Sequence, residues 1–310
     1  MGSLFNKRKN KNKEEKRMKI EQGPLIVEGK TKNIFAVVGD ISSCIIENKN
    51  AITKNDDPAQ TKDFNTKGKA STVVTSHNFQ ILKDAGIPVA FKKQLSDSQF
   101  LAEKTVMIPL EVIGRRLALG SYLKREPSFK VAKGELPTKF DELCIEFFLK
   151  TTGGKCIIND NNHPVTLIKG LEKEDPYIFN PDEDKWKLCH PHKPYSDEGS
   201  FISFFNPTTL LGSGIISIKE MRSITKQVFE VLEAAWWDKA KWRLADFKIE
   251  FGITADGRLV VSDVIDNDSW RILDELLNDL SKQSFRDGES LSDVEIKYLR
   301  VMEMSYKLVQ

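Results

Sequence analysis

Cysteine and histidine are scarce in this chain, with four of each among 310 residues. Cys44, Cys144, Cys156 and Cys189 lie far apart with no CxxC spacing, which argues against a disulfide framework and for a reduced, cytoplasmic protein. Cys189, His190 and His192 cluster, with Cys156 and His163 upstream, so a structural zinc site can be drawn, but the spacings match no established finger or ribbon. No apolar run is long enough to cross a bilayer, no signal peptide is expected, and Asn6 stands where an acylation start needs Ser or Thr. The net charge is only +2, which argues against a dedicated nucleic-acid coat. Neither nucleic acid nor membrane is therefore an expected partner. There is no internal repeat.

What the chain does have is enough apolar sequence for a sizeable core, at 40% hydrophobic residues against 30% charged, and room for two lobes. Residues 1–20 read as a basic, disordered tail, because Lys7 to Lys19 holds eight Lys and Arg against Glu14 and Glu15 with almost no apolar residue. Residues 21–108 read as a β-rich lobe. Strands are expected at Leu25 to Glu28, Ile34 to Val38 and Ile41 to Glu47, with a Gly39, Asp40 turn between the last two. A helix is expected from Lys69 to Ala85, with Val74, Ile81 and Ala85 on one face and Gly86 and Pro88 as its stop. Val89 to Phe91 and Thr105 to Ile108 return to strand, and Pro109 marks the crossing into a second lobe, residues 109–310.

Within that second lobe, Thr151 to Phe205 is crowded with Gly, Pro, Asn and Asp and reads mainly as surface loops, with one short strand at Val165 to Ile168. Ser217 and Glu220 form a capping box opening a long helix buried along Met221, Ile224, Val228, Leu232 and Trp236, and Ser292 with Glu295 forms another before the last helix. Trp236, Trp237 and Trp242 suit either a core or the interface of a homo-oligomer.

The chemistry concentrates in a hairpin. Phe247, Ile249, Phe251 and Ile253 alternate with Asp246, Lys248 and Glu250, a half-buried strand, and Asp256 with Gly257 suits a two-residue type I′ turn into a second strand, Arg258 to Ile265. With that turn, Glu250 faces Asp263. Like charges directly opposite destabilise a sheet, so the pair invites a cation, and oxygen ligands favour magnesium. The other reading is a turn one residue longer, a slipped register and both acids pointing into water. Three more groups bear on chemistry. Glu28, Gly29, Lys30, Thr31 and Lys32 form a tight turn between strands that suits phosphates or ordinary surface. Arg115 and Arg116, before Gly120 and Ser121, suit a bound phosphate or carboxylate, or an ion pair to Glu111. Asp266, Asn267, Asp268, Ser269, Trp270 and Arg271, with Lys282 and Arg286 further on, are polar groups too dense for packing alone, and Lys67 to Lys69 suit an anionic ligand.

Together, EGKTK at Glu28, IPLEVIGRRLALGSYLKR from Ile108, ADFKIEFG from Ala245 and SDVIDNDSWR from Ser262 resemble the phosphoribosylaminoimidazole-succinocarboxamide synthases over most of residues 25–307. The DVIDNDSWR and KQSFRD wording is similar to the animal enzymes, where this domain is fused to a carboxylase; here a separate aminoimidazole ribonucleotide carboxylase is expected. The resemblance implies a two-lobed α+β fold related to ATP-grasp enzymes and protein kinases. It implies a ligase joining carboxyaminoimidazole ribonucleotide to L-aspartate with ATP and magnesium. Lys30 and Lys32 would contact ATP phosphates, the backbone at Met107 would hold adenine, and Glu250 with Asp263 would hold the metal. Arg115, Ser121 and Arg271 would hold the nucleotide substrate, with Lys69, Asp268, Ser269, Lys282 and Arg286 as further substrate contacts. Lys248, Asp246 and Asp263 would be the catalytic group. The sequence departs from the family where an acidic pair usually follows the strand Cys144 to Lys150: it has Thr151 and Thr152, and Asp175 with Pro176 is the replacement expected after an insertion. The customary Ser, Asn pair near Lys69 is also not plain, so of the family's contacts between Asp56 and Ser71 only those of Lys67 to Lys69, which suit an anionic ligand, are expected here. A kinase-like phosphotransferase is the rival enzyme reading, although no HRD-type loop is present, and a non-catalytic binding module is the other.

Overall fold

The structure is a computed structural model and describes residues 20–53, 61–132, 134–157, 164–167, 171, 174–211 and 217–310. The basic run from Lys7 to Lys19, Asp56, His163, Ile168 and the glycines at 212 and 214 lie outside the described residues.

The chain begins with β1 (Gln22–Glu28), β2 (Lys32–Val37) and β3 (Asp40–Asn48), followed by a small separate pair, β4 (Ala51–Thr53) and β5 (Thr61–Asp63). Helix α1 (Lys67–Asp84), β6 (Phe91–Gln94) and β7 (Gln99–Glu103) complete an antiparallel sheet of order β1-β2-β3-β7-β6. The expected meander is present, but Val37 pairs with Asp40, so its turn is Val38 with Gly39, where the glycine takes φ 76°. Helix α1 stops as expected at Gly86, with φ 77°. It is buried along Ala70, Val73, Val74 and Leu82, and Ala85 is exposed.

Strand β8 (Thr105–Leu117) then opens a second sheet. Pro109 marks no break: β8 runs through it, and the register against the neighbouring strand shifts there, so the missing N–H falls at a bulge. Short helix α2 (Tyr122–Arg125), β9 (Lys139–Leu149), the pair β10 (Lys155–Ile157) and β11 (Pro164–Leu167), and then β12 (Tyr177–Ile178), β13 (Trp186–Cys189) and β14 (Phe201–Phe205) follow. The expectation of loops from Thr151 to Phe205 is thus corrected. β12, β13 and β14 extend the second sheet beyond β9, and Trp186, Leu188, Cys189 and Phe205 are buried. The turn residues of this segment mark the hairpin ends, while short apolar alternations between them form the strands.

Helices α3 (Thr208–Leu211) and α4 (Ile218–Ala240) lead to β15 (Arg243–Thr254), β16 (Leu259–Ser262) and β17 (Trp270–Leu273), giving an eight-stranded sheet of order β14-β13-β12-β9-β8-β15-β16, with β17 also paired to β15. The α4 expectation matches: Ser217 caps it by accepting the Glu220 N–H, and Met221, Ile224, Val228, Leu232 and Trp236 are buried. Trp236 stacks on Trp242 at 5.7 Å, both in the core, whereas Trp237 is exposed beneath Lys241 and Arg243. The chain ends with α5 (Gln283–Arg286) and α6 (Leu291–Leu308). The cap of α6 is Ser290, accepting from Asp293 N–H, not Ser292; Glu295 instead accepts the Thr66 hydroxyl. Buried apolar side chains of both sheets and of α1, α4 and α6 form one connected core.

Candidate active site

One face of β15 packs on α4 through Phe247 against Phe229, leaving Asp246, Lys248 and Glu250 on the other. The register differs from the expected one. Thr254 pairs with Arg258, so the loop is Ala255, Asp256 and Gly257, and only Gly257 takes a positive φ, at 84°. A type I′ turn needs two such residues; the three-residue loop needs one. The Thr254 hydroxyl also accepts the Arg258 N–H at 3.0 Å, holding the wider loop. Glu250 therefore faces Ser262 on β16 and Glu111 on β8, and the opposed carboxylates are Glu250 and Glu111, not Glu250 and Asp263.

Neither Glu250 nor Asp263 points freely into water, as the slipped-register reading expected. Glu250 is buried and accepts two bonds from Lys150 Nζ, at 2.5 and 2.6 Å. Burial opposes its charge, but Lys150 and Lys248 outweigh it and hold the carboxyl below its ordinary range. Asp263 follows the last residue of β16 with φ 66°, a left-handed conformation that Asp tolerates better than most residues, and its carboxylate bonds the Lys32 ammonium. Burial lowers Lys32 to about 8 despite the attraction of Glu250. Two acids, each matched by a lysine ammonium, form an oxygen-only donor set suited to a hard cation. Among the described residues, no group of three or more His, Cys, Asp or Glu is arranged as a metal centre.

Lys248 Nζ lies 2.6 Å from Glu111 Oε1; burial disfavours its charge, but Glu111 and Glu250 keep it raised above its ordinary value. Deeper in, Asp246 Oδ2 is shared by Arg115 Nη1 and Arg271 Nη1, both at 2.6 Å. Arg115 also donates to Glu146 Oε2 at 2.5 Å and to Ser121 Oγ at 3.2 Å. Glu146 in turn accepts from the buried Arg125, which donates to Tyr195 and to the Pro191 carbonyl and lies over the rings of Tyr177 and Phe148. Arg116 turns away, to a bidentate pair with Glu233 on α4. Gly120 has φ 61°, and a Cβ there would lie 2.7 Å from Arg271 Cζ, so glycine lets the guanidinium pass.

A second charged group borders this one. Asp268 accepts from Tyr298 at 2.5 Å and pairs with Lys67 at 3.1 Å and Lys282 at 3.6 Å. Ser269 is spent on the turn: its hydroxyl accepts the Asp266 N–H, while its carbonyl accepts Lys248 N–H at 2.7 Å. Three expected residues stand apart from these contacts. Lys69 pairs with exposed Asp97, because two residues along α1 turn it to the side opposite the buried Lys67; Arg286 is exposed at the end of α5; Met107 lies on β8 opposite Gly252. Lys30 is exposed in the Glu28 to Lys32 turn, which Gly29 N–H closes onto Lys32 O at 2.8 Å.

Sequence reasoning did not single out Glu146 or Lys150 as site residues. The available signal for Glu146 was a lone acid in the apolar run Cys144 to Leu149. Asp175, the acid expected after an insertion, accepts from Thr151 N–H at 2.6 Å and Thr151 Oγ1 at 3.0 Å. His163 of the drawn zinc site lies outside the described residues, and among the described residues Cys156, Cys189, His190 and His192 are not arranged as a metal centre. His190 Nδ1 accepts the His192 N–H at 3.1 Å, and His192 Nε2 lies 3.0 Å from Glu174 Oε1.

The family model described as SAICAR synthetase matches residues 25–174 and 206–305. A phosphoribosylaminoimidazole-succinocarboxamide synthase of Chloroflexus aggregans is 34% identical over 92% of this chain and 97% of its own length. The probable multifunctional protein ADE2 of Caenorhabditis elegans is 32% identical over 91% of this chain, which spans only 58% of that relative. A crystal structure of the synthase from Ehrlichia chaffeensis superposes with TM-score 0.67 at 23% identity, covering 91% of this chain and 98% of that one. A SAICAR synthetase solved in complex with ADP superposes at 0.64, with 24% identity, covering 93% and 97%. Mixed sheets and helices, the charged face of β15 and these matches agree: the chain belongs to the SAICAR synthetase family.

Proposed function

We propose that the chain is an ATP-dependent ligase of purine biosynthesis, condensing carboxyaminoimidazole ribonucleotide with L-aspartate to give SAICAR, ADP and phosphate through an acyl phosphate. The observation that carries this reading is the row of Asp246, Lys248 and Glu250, which joins an arginine pair at one end to two lysine-matched carboxylates at the other. Arg115, Arg271 and Ser121 hold the phosphate of the imidazole nucleotide, and Lys248 holds the carboxylate to be activated. Lys30 and Lys32 hold ATP phosphates, and the strand at Met107 takes adenine; the ADP-bound relative is the precedent for a nucleotide in this fold. Glu250 and Asp263 hold magnesium, which when bound supplies charge neutralisation for the transferring phosphoryl group. A carboxylate is a poor acylating agent, and phosphorylation gives it a leaving group. No Ser, Cys or His nucleophile is needed, so scarce histidines are no obstacle.

The chain up to β7 serves as the ATP lobe and the chain from β8 on as the substrate lobe, an arrangement of the kind on which kinship with ATP-grasp enzymes and protein kinases rests. The reaction belongs in the cytoplasm, and no helix of the described residues is long and apolar enough to cross a membrane. A carboxylase acting on aminoimidazole ribonucleotide supplies the substrate.

The test is ADP release. It is expected only when the carboxylated imidazole nucleotide is present together with an amine nucleophile, aspartate being the natural one. Release in the absence of the carboxylated imidazole nucleotide, with another phosphoryl acceptor, would favour a phosphotransferase, and none at all a binding module. Gly120→Ala is expected to push the Arg271 guanidinium aside, raising the KM for the imidazole nucleotide about tenfold with kcat little changed. An unchanged KM would remove Arg271 from the phosphate site.

A further inference from the structure

Aspartate carries its amino group as an ammonium at neutral pH, and an ammonium cannot attack an acyl phosphate. A base is needed beside the reacting carboxylate. Most acids there are committed: Glu250 to Lys150, Glu111 to Lys248, Asp263 to Lys32 and Asp246 to two arginines. Asp175 is different. Its Oδ1 takes both bonds from Thr151, and among the described residues no hydrogen bond reaches its Oδ2. The backbone fixes it there: Leu149 N–H donates to Pro176 O and β12 pairs with the end of β9, so Asp175 sits just before β12 with its carboxylate clamped on one side. The charged groups acting on it are Glu111 from β8 and Lys248 from β15, and Asp175 in turn raises the neighbouring Cys156 thiol on β10.

We propose that Asp175 is the general base that deprotonates the incoming amine. This rests on the ligase reading above. Burial first, and then the charge of Glu111, push its carboxyl up to about 6, against the Thr151 bonds and Lys248; that value suits an acid that must give and take a proton near neutrality. In the step, the aspartate nitrogen bonds to the acyl carbon, and the carbon–oxygen bond to phosphorus breaks with its electron pair leaving on phosphate. The nitrogen sheds two protons: Asp175 Oδ2 takes one and passes it to solvent, and the other leaves on the phosphate.

The experiment compares aspartate with hydroxylamine, an amine already unprotonated at neutral pH, as the nucleophile in ADP release by wild type and Asp175→Asn. The asparagine keeps the Thr151 bonds through its carbonyl oxygen, and a thermal melt checks the fold. We expect the variant to lose about 100-fold or more with aspartate while staying within about threefold of wild type with hydroxylamine. Equal loss with both nucleophiles, or no loss with either, would overturn the role of Asp175. If wild type itself releases no ADP with either nucleophile, the ligase reading fails first, and separately.

Discussion

Asp263→Asn is expected to lower turnover by about 100- to 1000-fold at saturating magnesium while leaving the fold in place, because under the proposed metal role a charged oxygen ligand would be worth on the order of 3–4 kcal/mol in the transition state. The fold should survive for two reasons. Asparagine tolerates the left-handed backbone, φ 66°, almost as well as aspartate. The ion pair to Lys32 is only about a fifth exposed on each side, so its loss costs some stability, but the Lys32 ammonium keeps the attraction of Glu250. The checks are steady-state kinetics across magnesium concentrations and a thermal melt. Turnover close to wild type at saturating magnesium would contradict the metal role of this hairpin.

Glu146→Gln should act in the opposite way, on stability. Glu146 lies between Arg115 and Arg125, and all three side chains are almost completely buried. Removing the charge leaves two guanidiniums in a dry interior with a neutral amide between them, and breaking such a pair costs about 3–5 kcal/mol. A fall in Tm of roughly 10 °C follows. Activity should fall too, since Arg115 loses the partner that aims it. The pH dependence has a definite sign. Burial opposes the Glu146 charge, but the two arginines outweigh it and hold the carboxyl below its ordinary value of 4.5. Its contribution is therefore fully present above that ordinary value and is lost as pH falls through the lower folded one. The variant should show a flatter acid limb than wild type, read by melting at a series of pH values; equal limbs and equal Tm would mean that the triad is not a stabilising unit.

Much of this molecule was legible before the fold was known, for reasons visible at particular residues. Helix α4 reads directly because Ser217 has one possible capping partner and the 3.6-residue period of Met221 to Trp236 has no competitor. The β1 to β3 meander reads from alternation and one obligatory glycine. The register of the key hairpin does not, because Asp256 and Gly257 serve a two-residue or a three-residue loop equally well, and a threonine hydroxyl decides between them. That single residue exchanged the partner of Glu250 from Asp263 to Ser262. Asp263 still reaches Lys32 because its own backbone turns left-handed, a feature no periodicity carries.

The strands between Tyr177 and Phe205 were hidden by their spacing: two to five residues each, between prolines and glycines that mark loops when read alone. Their cost to the reading was the placement of Arg125, which depends on that extension of the sheet. The charged residues were recognisable as chemistry, but their pairing was not. Arg115 and Arg116 are neighbours in sequence, yet opposite faces of one strand send the first to Asp246 in the site and the second to Glu233 on the helix behind.

The most direct test of an acyl phosphate built on this face is an isotope transfer. Imidazole nucleotide carrying a heavy oxygen isotope in its carboxylate is converted with ATP and aspartate, and the inorganic phosphate is analysed by mass spectrometry. Activation by phosphorylation moves one carboxylate oxygen into each phosphate released, so the phosphate should carry the label at one atom per turnover. Unlabelled phosphate, with SAICAR still formed, would contradict the account.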